Sequence, residues 1–398
     1  IGTHGFAYAN KAAENSDVLI LIGARASDRT TFGVKTFAQN ADIIHIDIDP
    51  AEIGKNLDTY IPIVGDCANI LTELTKEADF EADDILKGAW ERAIYKGKTY
   101  GVPYNAVSSE LFYNKDMFKE AGLDPNNPPK TFQELMEVAQ KLTKYDSSGR
   151  VIRSGLSLRI SGGGSGLTEK FRFILNNAGA DLIVPTANGK WKNGFNNAAG
   201  EEALRFYIDA LYKYKVDAPE VRHDSDAFVT NVTAMFMRES WVIGEVIAKN
   251  PELNYGVAPM PAGERYETLA QPWSIYMSMD GAKSKEVREF MMFLTSAEAA
   301  PQLIELSGWI PEREFDYEYL VEETPQYEVF VNPPADLGFY TDPVIPAFDE
   351  VQTKVADELM AAFLNKDLVD NPEGIAKAID DIADLVDSIL KRNNAYGK

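Results

Sequence analysis

Pro128-Pro-Lys-Thr-Phe-Gln-Glu-Leu135 is the stretch from which the reading of the fold starts. A Thr followed three residues later by Glu is a capping box: the hydroxyl accepts an orphan N–H of the first helical turn, and the carboxylate reaches back to the entering chain. Thr131 and Glu134 stand in that relation, so the sequence predicts a helix beginning at Phe132. Phe132, Leu135, Val138, Ala139 and Leu142 then recur at helical spacing and make one apolar face. Near the C-terminus, Asn371 as N-cap and Pro372 as first helical residue introduce a second stripe of Ile375, Ile379, Ile382, Val386 and Ile389. A third helix is expected to begin by Ser284 and to carry Val287, Phe290, Met291 and Leu294. No internal repeat is visible.

The opening of the chain reads differently. Short β-branched runs at Asp17 to Gly23, Ala41 to Asp49 and Ile61 to Asp66 alternate with helical stretches. That spacing predicts a βαβαβ unit with a parallel sheet, Rossmann-like in outline. Acidic residues crowd Glu77 to Asp84 with few apolar neighbours, as in a solvated helix end or linker. We therefore divide the chain into residues 1–84 and 85–398.

Composition narrows the function classes. The 398 residues suffice for roughly two or three domains with cores of their own. A net charge of −23 with no Lys/Arg stripe argues against nucleic acid as a partner. No apolar run approaches the roughly 18 residues of a membrane span, so direct insertion is not expected. Cys67 is the only cysteine, which excludes an internal disulfide and a Cys-rich zinc site. His4, His45 and His223 stand far apart without metal-ligand spacing. The chain begins at Ile1 without a basic or apolar leader, so a secretory signal is expected to have been removed or never to have been present.

Several stretches after Trp90 succeed one another in the order of known landmarks: Lys96 to Tyr104, Leu111 to Gly122, Pro129 to Leu135, Ala234 to Trp241, Tyr255 to Pro261, Glu289 to Ser296, and Gly308 to Pro311. In this order they resemble the bacterial extracellular solute-binding proteins of ABC sugar importers, the family that includes the maltose-binding protein. The resemblance implies a two-lobed, periplasmic-binding-protein-like α/β fold whose lobes close about a hinge. It further implies capture of a mono- or oligosaccharide in an interlobe cleft without chemistry, delivery to an ABC permease, and an extracytoplasmic location.

A pyranose has one comparatively apolar face that stacks on an aromatic ring, and hydroxyls that demand hydrogen bonds. Trp241, Trp273 and Trp309 fall where family members commonly put a cleft aromatic, and Tyr104 lies at the crossover near the hinge. Asn105, Arg238 and Glu239 are the nearest polar side chains that could read hydroxyls. A Trp is more often a core residue, and Trp90 and Trp191 have no context that argues otherwise. Trp273 and Trp309 are better placed, since Gln271-Pro272 and Gly308 to Pro311 read as loops. Ser161 to Gly166 is glycine-rich but lacks the Lys-Ser/Thr of a phosphate loop, so it reads as a loop beside the cleft. Asn231-Val-Thr233 is a sequon of a kind common by chance.

The opening segment resembles another family, the central domain of the acetolactate synthase large subunit. Gly2 to Gly5 with Ala9-Asn10, Gly23 to Arg25, Ser27 to Arg29, Ile43 to Asn56 and Pro62 to Asp66 carry the likeness. In that family the domain holds FAD, which would set Arg25 near the cofactor and Asp47 and Asp66 near its ribose and adenine ends. FAD binding is not expected here: Ala26 stands for the family's Phe, Thr31-Phe32 interrupts the next motif, and no thiamine-binding domain is recognisable on either side. Synthase activity is not expected either. Nothing upstream of Trp90 reads as the usual start of a solute-binding lobe, so the whole looks like a chimera in which the synthase-like βαβαβ completes lobe one. That idea requires the strands near Leu19, Ile44 and Ile63 to share a sheet with those near Tyr100. Two rival readings remain: a chimera, with or without a vestigial FAD segment, whose ligand binding is lost, and, ranked last, a carbohydrate-active enzyme, for which no facing carboxylate pair can be named.

Overall fold

The computed structural model describes residues 16, 18–22, 37–38, 41–47, 55, 57–64, 93–95, 98–99, 101–105, 108–161, 164–221, 224–270, 273–275, 285–310 and 317–397. The chain divides into two compact units: Ile1–Ala106 with Pro272–Ile304 and Ile310–Phe315, and Val107–Gln271 with Glu305–Trp309 and Asp316–Lys398. The boundary expected over residues 75–90 lies outside the described residues.

In the first unit, Val18–Ile22, Asp42–Asp47 and Ile61–Val64 pair in parallel, with Leu19 opposite Ile43 and Ile44 opposite Ile61. These are the three strands expected from the β-branched runs. Phe37, Ile43 and Leu57 are buried together beside them, the small core that a half-covered parallel sheet needs. Among the described residues these strands pair only with one another, and Val102–Asn105 pairs instead with Trp273–Ile275. The sheet that the synthase-like segment would have to share in order to complete lobe one is therefore not found among the described residues. The helix expected from Ser284 is found as Lys285–Leu294, with Met291 buried and Phe290 50% exposed.

The second unit is built on Ser109–Asn114, a strand buried at every position between two antiparallel partners, Met235–Glu239 and Tyr255–Ala258. Phe112, on this strand, packs against Phe228, Phe236 and Tyr255 at ring separations of 5.4–6.2 Å. Asn114 ends the strand by accepting the N–H groups of Asp116 and Met117, each at 3.0 Å, which starts the next helix. The helix from Phe132 forms as predicted: Glu134 donates its N–H to Thr131 Oγ1 at 3.1 Å, and its carboxylate accepts from the Lys130 N–H at 2.7 Å. All five Ile and Val of the C-terminal stripe are buried on Pro372–Arg392, whose N-cap Asn371 accepts the Gly374 N–H. Gly166–Asn177 is covered on nearly all sides, with Lys170 and Arg172 among its buried residues. Buried charges on such a helix must be paired, and their partners mark the site below.

Candidate functional site

Strand Met235–Glu239 delivers Arg238 and Glu239 at its end, and the chain turns at Ser240 into the helix that Trp241 opens. Glu239 is 4% exposed, yet its carboxylate is fully engaged. Lys170 pairs with Oε1. Ser109 donates its hydroxyl to the same oxygen at 3.2 Å, while Arg238 and the Trp241 indole N–H reach Oε2 at 3.0 and 2.9 Å. Burial alone would raise the carboxyl's pKa, but the charges of Lys170 and Arg238 overcome it and hold the group well below the usual carboxylate range.

Arg238 is committed as well. Its guanidinium grips Asp224 bidentately, at 2.6 and 3.0 Å. Asp224 has φ of +65°, a left-handed conformation that Asp tolerates better than most residues, and Arg159 approaches it at 3.7 Å. Arg159, Lys170 and Asp224 also line a small recess of about 20 Å³ with Ser157, Phe173 and Tyr207, close to the volume that one water needs.

Trp241 is held at three points. Its N–H is taken by Glu239, Arg238 lies 5.0 Å from its ring, and the Trp309 ring is tilted 45° at 6.4 Å. The Trp309 contact depends on glycine. Gly308 has φ of +71°, and a Cβ there would come within 2.9 Å of the Trp241 Cα and 3.1 Å of the Gly244 N.

In the first unit, Trp273 lies directly opposite Asn105 in an antiparallel pair, so the two side chains emerge on one face. Trp273 opens a short strand rather than sitting in the loop expected from the sequence, and its side chain is 56% exposed. Asn105 is 4% exposed and its amide oxygen has no hydrogen-bond partner among the described residues. Tyr104, the preceding residue, is the one skipped where the register shifts between the Trp273–Asn105 and Ser274–Pro103 pairs, and burial raises its phenol pKa.

The fold thus brings Arg238, Glu239, Trp241 and Trp309 together in one unit, and Asn105 with Trp273 in the other. Glu239 and Arg238 are engaged in the protein's own network and brace Trp241. Lys170 and Asp224, which complete that network, went unremarked in the sequence. The nearest signal for Lys170 is a charge run, Glu169-Lys170, within a helix that buries itself almost all round. Arg25 and Asp66 lie outside the described residues. Asp47 ends its strand opposite Val64. Asn231, of the sequon, accepts from Asn114 Nδ2 at 2.9 Å.

Two family models match the chain. "Bacterial extracellular solute-binding protein" covers residues 38–301, and "Thiamine pyrophosphate enzyme, central domain" covers residues 1–74. The first begins well before Trp90, upstream of which the sequence reading found nothing of that family, and residues 38–74 are claimed by both. The chain is 58% identical over 80 residues to a probable acetolactate synthase large subunit of Methanococcus aeolicus, covering 20% of the chain and 13% of that protein. A second, from Methanocaldococcus jannaschii, is 41% identical over 143 residues, 36% of the chain and 22% of that protein, which runs past the opening seventy-five residues. The chain therefore spans no more than about a fifth of those relatives' lengths.

Among solved structures, an ABC transporter solute-binding protein from Thermotoga lettingae bound with α-D-tagatose superposes with a TM-score of 0.66 at 25% identity, covering 80% of this chain and 79% of that one. The cyclic α-maltosyl-1,6-maltose binding protein of Arthrobacter globiformis gives 0.64 at 24% identity, with 82% and 81% covered. UgpB of Mycobacterium tuberculosis in complex with glycerophosphocholine gives 0.67 at 18% identity, with 89% and 92% covered. The latter two likenesses speak to the fold.

Proposed function

The chain belongs to the bacterial extracellular solute-binding protein family, and on that premise we propose that it captures a mono- or oligosaccharide outside the cytoplasm for an ABC permease, without catalysing a reaction. The observation that carries the sugar reading is Trp273 opposite Asn105: an exposed indole beside a buried amide whose oxygen lacks a partner among the described residues. An indole face stacks on the apolar side of a pyranose, and an unpartnered amide oxygen accepts from a hydroxyl. Trp241 and Trp309, braced by Glu239 and Arg238, supply a second aromatic surface; Tyr104 is the remaining aromatic candidate. The tagatose bound to the Thermotoga lettingae protein supports a sugar as the class.

Tryptophan emission titrated with tagatose, maltose and mannobiose tests the reading. At least one sugar is expected to shift the emission, and Trp273→Ala to weaken its binding by about 1–3 kcal/mol. Unchanged affinity in that variant removes the stacking role. A flat response across the panel favours the rival reading, in which binding was lost when the synthase-like segment took its present place. Release of reducing sugar would move the protein to the carbohydrate-active enzymes.

We propose further that the opening segment carries no flavin. Ala26 stands where the synthase family has Phe, and Thr31-Phe32 interrupts the motif that follows. The purified protein is expected to lack visible flavin absorbance, and a yellow preparation would reverse this.

A further inference from the structure

We propose that the second unit carries another small-molecule site, a recess for one neutral polyhydroxylated molecule on the far side of the Gly166–Asn177 helix from Lys170. Arg172 and Asn176 are four residues apart and share a helix face, whereas Lys170 lies roughly 200° round from Arg172. On that face Arg172, Asn176, Asp181, Trp191, Tyr340 and Phe348 line an open recess of about 180 Å³.

Three of these side chains each keep one buried polar atom without a partner among the described residues: Arg172 Nε, Asn176 Oδ1 and the Tyr340 hydroxyl. Native folds leave few such atoms, and three lining one recess call for a common partner. The rest of each group is committed, which fixes the orientation. Arg172 pairs through Nη1 with Asp342, and its guanidinium lies 5.2 and 5.3 Å from the Tyr340 and Phe348 rings. Asn176 donates its amide to Asp181 at 2.7 Å.

What remains is one donor, one acceptor and one hydroxyl that can do either. An anion would leave Asn176 Oδ1 unmet and would face the Asp181 carboxylate; a cation would face Arg172. Neighbouring hydroxyls satisfy all three, since each donates and accepts. Trp191, left aside for want of context in the sequence, provides the wall on which a carbon skeleton packs.

Calorimetric and tryptophan-emission titrations of the full chain with D-mannitol and with maltose, alongside its Tyr340→Phe and Trp191→Phe variants, test the site. A binding event is expected whose affinity falls about tenfold in Tyr340→Phe, which removes only the hydroxyl, and which loses its emission signal in Trp191→Phe. If the recess holds only ordered water, both variants keep every binding parameter of the parent, and the proposal is overturned. The site stands apart from the function proposed above, and the two fail separately. Binding sensitive to Tyr340→Phe but indifferent to Trp273→Ala leaves the recess standing alone; the converse overturns the recess alone.

Discussion

Replacing Glu110 with Gln is expected to stabilise the protein at pH 8 and above by about 5 kcal/mol while leaving its stability near pH 4 almost unchanged. Glu110 is completely buried at the second position of the central strand. One carboxylate oxygen accepts the Met260 N–H at 2.8 Å, and the other has no partner among the described residues. Burial pushes the carboxyl from 4.5 up to about 8, against the smaller pull of hydrogen bonds from Met260 and Ser108. The unfolded chain releases this proton near its ordinary value, whereas the folded chain keeps it until about pH 8. Between those values the folded state binds more protons, so stability falls as pH rises across the window and levels off above it. Gln keeps an acceptor for Met260 and removes the titration. Urea unfolding at pH 4, 6 and 8 checks this: parallel profiles for parent and variant would refute the buried, proton-holding role.

Glu239→Ala is expected to act in the opposite direction, costing about 3–5 kcal/mol at neutral pH. The variant leaves the buried Lys170 ammonium without its close counter-ion and deprives Arg238 and the Trp241 indole of an acceptor. Because the folded carboxyl titrates below its unfolded value, the contribution is present above the ordinary carboxylate range and is lost as pH falls through the folded value. The difference between parent and variant should therefore shrink in acid. Trp241 emission should also change, since its ring is held through Glu239. A loss under about 1 kcal/mol at neutral pH would mean that the network contributes little to holding the unit together.

The helices and the opening strands were legible because their signals are local. The Thr131 and Glu134 pair, the Asn371-Pro372 start and the β-branched run through Leu19 each specify a conformation within one or two turns of chain. At Phe290 the spacing marks the helix that is found, but not what covers it, and the side chain is half exposed. The same logic failed at Trp273 because Gln271-Pro272 suggests a loop, while pairing with Asn105 makes the residue a strand start. The network of Glu239 and Arg238 stayed hidden for a related reason. Their charge was visible, but not the partners that absorb it.

By itself, then, the sequence determined that an α/β chain with capped helices follows an opening of parallel strands, and that its later landmarks are those of solute-binding proteins. Only the tertiary structure decided that Lys170 neutralises Glu239 from 69 residues away, that Glu110 is sealed beside the Met260 N–H 150 residues on, and that Arg172, Asn176 and Tyr340 converge on one recess. Backbone preference and periodicity are short-range and are written within a few residues. The burial and pairing of a charge depend on which distant segments close around it, and that is settled only when the chain has packed.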